Sequence, residues 1–211
     1  MTSDREPLLH PTAIDDLRPT QMTVGYREVA RKRLEWRGLK GGKDRAFLGR
    51  HMIPAVIGPK GRFWMIDNHH LARALHEEGV GQVLVRVVAD LAHLKGRLFR
   101  TFMDNRNWLH PYDARGRRRP MGDIPRHVGD LADDPYRSLA GELRRAGGYA
   151  KDDTPFSEFL WADFLRRHVA GETLEHDFPA AIAQALAIAR TPPAGYLPGW
   201  AGPHATAAPD G

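Results

Sequence analysis

The stretch that most constrains the fold of this chain is Phe63–Gly79, where a short apolar run leads directly into a helical pattern. The four apolar residues of Phe63–Ile66 are typical of a buried strand. Leu71, Ala74 and Leu75 then recur at helical spacing, and the glycine that ends the stretch suits a helix C-terminus. A strand that runs straight into a helix directs the unpaired N–H groups of the helix N-terminus above the sheet edge, where they favour an anion.

The turn between this strand and helix carries the residues that most favour chemistry. Asp67 and Asn68 suit a helix N-terminal cap, and His69 and His70 fall in the first helical turn. The Asp67 carboxylate could hold Mg²⁺ or act as a general base beside a phosphate. His70 could donate to a phosphate oxygen or exchange a proton near neutral pH, and His69 is a candidate for the same role. Because adjacent helix residues point about 100° apart, one imidazole should face the ligand and the other the sheet.

These four residues also have an interpretation without a ligand. Asp67 could simply cap the helix, a contact worth about 0.5–2 kcal/mol, and the histidines could be half-buried side chains. Asn68 suits turn geometry more than chemistry.

The first ninety residues predict a small mixed α/β unit, because strand-like and helix-like patterns alternate along them. The predicted elements are a strand within Leu8–Leu17, a helix over Thr20–Trp36, a strand at Ile53–Ile57, its hairpin partner Phe63–Ile66, the following helix, and a strand at Gln82–Val88. Between them, Gly38–Lys43 is predicted to be a basic, glycine-rich loop without P-loop spacing.

Residues 91–190 predict a helical extension packed on the α/β core, and residues 191–211 a disordered tail rich in Pro, Gly and Ala. The helices are predicted from Leu91 to about Asn107, from Asp134 to Gly147, from Thr154 through Phe164, and from Asp177 through Leu186. Trp108–Arg126 is a long irregular segment with Arg115 and Arg117–Arg119, which we interpret as a solvated basic loop or as a contact to phosphate or nucleic acid.

The composition limits the possible functions. The chain has 211 residues, a formal charge of +5 and a pI of about 9.7, which favour anionic partners only in general terms. The absence of cysteine excludes thiolate nucleophiles, disulfides and cysteine-based metal sites. No apolar run approaches the roughly 18 residues of a membrane span, and the N-terminus does not resemble a signal peptide. We therefore expect a cytoplasmic protein without a membrane partner.

The order of LRPTQ (Leu17–Gln21), IPAVI (Ile53–Ile57) and DNHHLARAL (Asp67–Leu75) resembles the ParB/sulfiredoxin superfamily, and is most similar to its branch of putative ParB-like nucleases. The helices of Asp133–Arg166 resemble the helical extension of that branch, so the resemblance covers roughly residues 8–170. In the superfamily, a short box at the start of the helix binds nucleotide phosphates. Here Asn68 replaces the glycine of that box.

The resemblance also implies roles for residues outside the turn. Leu71 stands where an arginine often follows the box, and Arg73 could supply the missing charge. Arg18 could reach a phosphate bidentately, or pair in solvent with a nearby aspartate. Gln21 stands where a serine kinase of the superfamily has a glutamate base; an amide cannot take a proton, so it could only orient a substrate. The sulfiredoxin reaction is excluded because it requires a cysteine.

Three hypotheses follow. The leading one is an enzyme that binds a nucleotide or another phosphate ester and carries out phosphoryl transfer or hydrolysis. The helix start at Asn68–His70 would hold the phosphates, with Arg18, Gln21 and Arg73 as further binding residues, and Asp67 would hold Mg²⁺ or activate the attacking group. The second is a DNA-binding protein or nuclease, for which the arginine-rich loop and the helical extension would form one basic face. The third is a nucleotide-regulated module without turnover.

Overall fold

A computed structural model describes residues 9–39 and 43–203, without the side chains of residues 43–45. The chain divides into two compact units, Met1–Asp134 and Pro135–Gly211. Within the described residues it contains eight α-helices and a mixed sheet, which confirms the predicted mixed α/β fold class. None of the helices in these ranges is both long and apolar enough to cross a membrane.

The first unit contains all the strands of the described residues. They are β1 Leu9–Ala13, β2 Thr23–Val24, β3 Ile53–Ile57, β4 Phe63–Met65, β5 Gln82–Asp90 and β6 Ala132–Asp133. The main sheet has the order β1-β5-β3-β4, in which β5 and β3 are parallel and the two outer pairs are antiparallel. β2 and β6 form a separate parallel pair. The strands predicted at Ile53–Ile57, Phe63–Ile66 and Gln82–Val88 are therefore confirmed.

Four helices belong to the first unit and four to the second. The first four are α1 Tyr26–Arg37, α2 Lys43–Arg50, α3 His69–Glu77 and α4 Gly96–Asn105, and the second four are α5 Pro135–Arg145, α6 Ser157–His168, α7 Gly171–His176 and α8 Phe178–Ala189. The helix predicted after the central turn is α3.

The main sheet carries apolar side chains on both faces. A bulge in the β3–β5 pairing places Val87 opposite Ala55 but Ala89 opposite Val56, so one residue of β5 is skipped. Side chains alternate between the two faces of a strand. After the skipped residue, each later residue of β5 therefore points to the face opposite the one it would have in an unbroken pairing with β3. Ala55 and Val87 accordingly belong to a core that includes the buried residues of α3, whereas Val56 and Ala89 belong to a core with α4.

The boundary between the units lies after Asp134, and not near residue 90 as the sequence predicted. The physical reason is the apolar face of α4. Phe99 and Met103 are buried against Val56 of the sheet, and the ring of Trp64 lies 5.2 Å from that of Phe99. The segment after residue 90 is therefore part of the α/β unit.

Several predicted element bounds are also wrong. The first strand ends at Ala13 and a 3-10 turn follows. The helix expected from Thr20 begins only at Tyr26, because the residues before it are extended and Thr23–Val24 pairs with β6. α4 begins at Gly96 instead of Leu91. The sequence did not predict α2, which begins at the end of the predicted loop, or the short α7. Residues 40–42 of that loop lie outside the described residues.

The second unit is built around α6. Trp161 is fully buried and stacks on Tyr149, with ring centroids 4.3 Å apart. The Trp161 indole N–H donates to the carbonyl of Pro198 at 2.8 Å, and the Trp200 indole donates to Ala189 at 2.9 Å. The predicted disordered tail is therefore wrong for residues 191–203, since apolar residues among them complete the core of this unit. Residues 204–211 lie outside the described residues.

Candidate functional site

The turn before α3 depends on the backbone of Asn68. This residue has φ +63°, in the left-handed region, which asparagine tolerates better than most residues. Its side-chain Nδ2 donates to the carbonyl of Met52 at 2.9 Å. The predicted role of Asn68 in turn geometry is confirmed.

Asp67 is exposed and lies two residues after the end of β4, with Ile66 between them. Its Oδ1 accepts a hydrogen bond from the backbone N–H of Asn68 at 2.7 Å. The N-terminus of α3 carries no side-chain cap from Asn68, the residue at its N-cap position. Asp67 therefore shapes the turn, and the predicted helix cap is not formed.

Both histidines of the turn contact the segment that precedes α1. The His69 side chain is buried, and its Nε2 accepts a hydrogen bond from the backbone N–H of Thr20 at 3.2 Å. The Nε2 of His70 accepts from the backbone N–H of Gly25 at 2.9 Å. In this arrangement neither Nε2 atom can donate to a phosphate, because each already serves as an acceptor. Both imidazoles position residues 20–25.

Gln21 and Arg73 also hold backbone segments in place. Gln21 is buried, and its Nε2 donates to the carbonyl of Thr23 at 2.9 Å. The Arg73 guanidinium donates to the carbonyl of Leu131 at 2.9 Å and to that of Gly129, and it lies 5.2 Å from the ring centroid of Tyr26. These contacts anchor the chain before β6 to α3, so the Arg73 charge is engaged away from the start of the helix.

Arg18 is separated from the turn. Its backbone pairs with β4, since the Arg18 N–H donates to Phe63 and its carbonyl accepts from Met65, both at 2.9 Å. Arg18 lies opposite Trp64, the middle residue of β4. Its side chain lines a cleft together with Arg62 and Phe63 at the start of that strand, whereas Asp67 follows the end of the strand. The structure therefore does not bring all the predicted phosphate-binding residues together.

The Arg18 side chain instead lines a cleft of about 400 Å³, which we call the Arg18 cleft. Its lining residues are Pro11, Thr12, Ala13, Asp16, Arg18, Gly61, Arg62 and Phe63. The Arg18 Nη1 donates to the carbonyl of Arg126 at 2.8 Å, which fixes the guanidinium. Its Nε is buried and has no hydrogen-bond partner among the described residues.

The charges around the Arg18 cleft are predominantly positive. Burial away from water lowers the pKa of Arg18 below its ordinary value, and the positive charges of Arg62 and Arg126 lower it further, against the opposite effect of Asp16. The guanidinium still remains charged at neutral pH. The sequence did not point to Arg62 and Arg126, because their proximity to Arg18 depends on tertiary structure and leaves no local pattern.

No group of three or more His, Cys, Asp or Glu residues suited to a metal ion occurs in the part of the chain that the structure describes. Mg²⁺ commonly binds through one or two carboxylates and takes its other ligands from water and substrate phosphates. A magnesium ion at Asp67 would have to bind through this one carboxylate, with water and substrate phosphates as its other ligands. The magnesium site stays a prediction.

A mixed sheet whose edge strand runs into a helix beginning with two histidines is the arrangement that the ParB-like resemblance implies. The family described as putative ParB-like nuclease matches residues 10–167, and this chain belongs to that family. The chain is also similar to the crystal structure of protein Atu1540 from Agrobacterium tumefaciens, with 53% identity and a TM-score of 0.88, over 93% of this chain and 99% of that one. No curated protein matches the chain.

Proposed function

We propose that this chain binds the phosphate group of a nucleotide or another phosphate ester in the Arg18 cleft. The observation that carries the proposal is the Arg18 guanidinium, whose buried Nε has no partner among the described residues and which lies near two further arginines. An unpaired buried donor costs free energy, and a phosphate oxygen would remove that cost.

The charges support the same ligand. The positive charges of neighbouring arginines repel one another, and a phosphate bound between them is attracted to each of them. Guanidinium groups bind phosphate through paired N–H donors. The bond from Arg18 to the Arg126 carbonyl holds one donor in place before a ligand arrives, which reduces the entropy lost on binding.

We assign the chemical step, phosphoryl transfer or hydrolysis, to Asp67, acting as a general base or through Mg²⁺. The support is its exposed carboxylate at the end of β4, where the Asn68 N–H orients one oxygen. His69 and His70 then act by positioning residues 20–25. Arg18 lies opposite Trp64, three residues before Asp67, and an extended chain rises about 3.3 Å per residue, so a substrate that reaches from Arg18 to Asp67 spans on the order of 10 Å. A nucleotide has this length, and inorganic phosphate does not.

Binding is tested by thermal-shift titration with ATP, ADP, CTP and GTP, each with Mg²⁺, on the wild type and on Arg62→Gln. A ligand that binds only the native state raises the melting temperature with its concentration. We expect a shift with at least one nucleotide and an apparent Kd about ten- to a hundredfold weaker in the variant, as for a lost charge-assisted bond. Arg144→Gln, an exposed arginine of the second unit, is the charge-matched control and should bind normally. No shift with any nucleotide, or equal weakening in the control, contradicts the proposal.

Turnover is tested separately by product analysis with the nucleotide that binds. Asp67→Asn should retain nucleotide binding, which is assigned to the Arg18 cleft, and lose product formation, because an amide neither accepts a proton nor holds Mg²⁺ as a carboxylate does. An unchanged rate in Asp67→Asn would show that the carboxylate is not the reacting group. Binding without any product in the wild type would instead support a regulatory module.

A further inference from the structure

The Arg18 cleft contains one carboxylate among its arginines. Asp16 lines the cleft together with Arg18 and Arg62, and its negative charge acts on the Arg18 guanidinium. The Asp16 side chain is exposed, and it makes no hydrogen bond or ion pair with any described residue. Because a carboxylate repels a bound phosphate, Asp16 is suited to a different part of the ligand.

The direction of the chain places Asp16 and Asp67 on opposite sides of Arg18. The backbone bridge between Arg18 and Trp64 is parallel, so the residues before Arg18 run alongside the residues before Trp64. Asp16 accordingly lines the cleft together with Phe63, the first residue of β4, whereas Asp67 lies three positions after Trp64. A nucleotide whose phosphates extend from Arg18 towards Asp67 therefore has its nucleoside on the Asp16 side.

The apolar lining of the cleft suits a nucleoside at this end. Pro11 and Phe63 both line it, and the Phe63 ring lies 5.5 Å from the imidazole ring of His10. An aromatic ring offers a flat surface on which a nucleobase can stack. The cleft volume of about 400 Å³ lies near the lower end of the range of about 300–1,000 Å³ for small-molecule pockets, which suits a single nucleotide.

The positive charges near Asp16 determine which group it can bind. Arg62 and Arg126 add their charges to that of Arg18, and this field disfavours a metal ion or an ammonium group beside the carboxylate. A neutral hydrogen-bond donor is not repelled, and a carboxylate can accept two such donors at once. The ribose is the part of a nucleotide that is attached directly to the phosphate, and its two adjacent hydroxyl groups are neutral donors.

We propose that the Asp16 carboxylate accepts hydrogen bonds from the 2′- and 3′-hydroxyl groups of a ribonucleotide whose phosphate is bound by Arg18. The inference rests on the proposed function, since it assigns the nucleoside end of the same ligand. Asp16 thereby makes the cleft selective for ribonucleotides. The affinity for a 2′,3′-dideoxynucleotide should be about ten- to a hundredfold lower, as expected for lost hydrogen bonds to a charged group.

The test is isothermal titration calorimetry with ATP, CTP and GTP and with their 2′,3′-dideoxy counterparts, each with and without Mg²⁺. The wild type should bind at least one ribonucleotide about ten- to a hundredfold more tightly than its dideoxy form. Asp16→Ala should bind both forms with the affinity that the wild type has for the dideoxy form, or slightly more tightly, because a negative charge near the phosphate is removed. The substitution should not disturb folding, since Asp16 is exposed and has no partner among the described residues.

Asp15→Ala is the matched control, because it removes the same charge from the adjacent position. The Asp15 carboxylate contacts the His76 imidazole at 3.1 Å and is not among the residues that line the cleft, so this variant should keep the selectivity for ribonucleotides. Equal affinity of the wild type for both forms, or unchanged selectivity in Asp16→Ala, overturns the inference. If Asp16→Ala instead loses discrimination between bases, or the Mg²⁺ dependence of binding, the carboxylate contacts the base or a metal ion and the inference is also overturned.

Arg62→Gln separates this inference from the proposed function. It removes a charge from the arginines that attract the phosphate, so it should weaken the ribonucleotide and the dideoxy form by the same factor and leave their ratio unchanged. Binding of none of these nucleotides contradicts both the proposed function and this inference. Equal binding of the two forms, weakened alike by Arg62→Gln, contradicts only the inference.

Discussion

The Nε2 atom of His69 accepts a hydrogen bond from the backbone N–H of Thr20, a residue 49 positions earlier in the chain. His70 contacts Gly25 in the same manner. The two adjacent imidazoles at the start of α3 therefore fix both ends of the segment of residues 20–25 that leads into α1. In the structure both side chains of this histidine pair hold the segment before α1, and their predicted catalytic role stays a prediction.

His69→Ala should destabilise the first unit by about 2–4 kcal/mol, because it leaves the Thr20 N–H without its acceptor and opens space in a packed region. Urea denaturation followed by circular dichroism measures the change. His93→Ala, at an exposed position, is the control and should change stability by less than about 0.5 kcal/mol. A His69→Ala protein as stable as the wild type would show that the contact with Thr20 does not hold the segment.

Asn68 allows the backbone and side-chain contributions of the turn to be separated. Asn68→Gly keeps the left-handed conformation accessible but removes the bond to Met52, at a cost of about 0.5–1.5 kcal/mol. Asn68→Ala loses the same bond and adds a left-handed penalty of about 1–2 kcal/mol. The difference between the two variants in urea denaturation therefore measures the backbone penalty. Equal stabilities would mean that the turn relaxes to another conformation.

Glu78 links α1 to the end of α3 and should make stability depend on acid pH. Its hydrogen bond with Arg37, followed by that with Arg33, lowers the pKa of Glu78 from 4.5 to about 2. A carboxylate whose pKa is lower in the folded protein stabilises it above the unfolded pKa, and this contribution disappears as pH falls through the folded value. The stability difference between the wild type and Glu78→Gln should therefore be full above about pH 5 and shrink towards pH 2.

Urea denaturation at several pH values measures that difference. The matched control is Glu175→Gln in the second unit, where the carboxylate makes no ion pair with any described residue and the substitution should have little effect at any pH. A stability difference for Glu78→Gln that stays constant between pH 6 and pH 3 would show that the two arginines do not hold the carboxylate ionised.

The sequence predicted the elements whose hydrophobic pattern is strong and local. β3, β4, α3 and β5 all follow from apolar runs or helical spacing, and the left-handed turn at Asn68 follows from its residue type. α2 and α7 were missed because α2 is short and polar and α7 has six residues. α4 was found, but its membership in the α/β unit depends on packing against the sheet.

The candidate site was harder to predict, because it depends on pairs that are distant in sequence. The histidine pair at 69–70 was visible, but its partners in the segment before α1 were not. The Arg18 cleft requires Arg62 and Arg126 to meet Arg18 in space, and no spacing encodes that. The net charge of residues 91–126, in contrast, can be counted directly from the sequence, whereas the contact between Arg118 and Asp104 depends on the tertiary structure.

Residues 191–203 should be required for the stability of the second unit, although their composition resembles a disordered tail. Ala194 and Leu197 are buried in its core, and the indole of Trp161 donates to the Pro198 carbonyl. A chain that ends at Arg190 removes the apolar contacts and leaves the fully buried indole N–H without its partner, which costs about 1–3 kcal/mol for the N–H alone. We expect a lower melting temperature and increased tryptophan quenching by acrylamide. A chain that ends at Pro203 keeps every one of these contacts and should melt as the full chain does; equal melting of all three proteins would show that the segment does not contribute to the core.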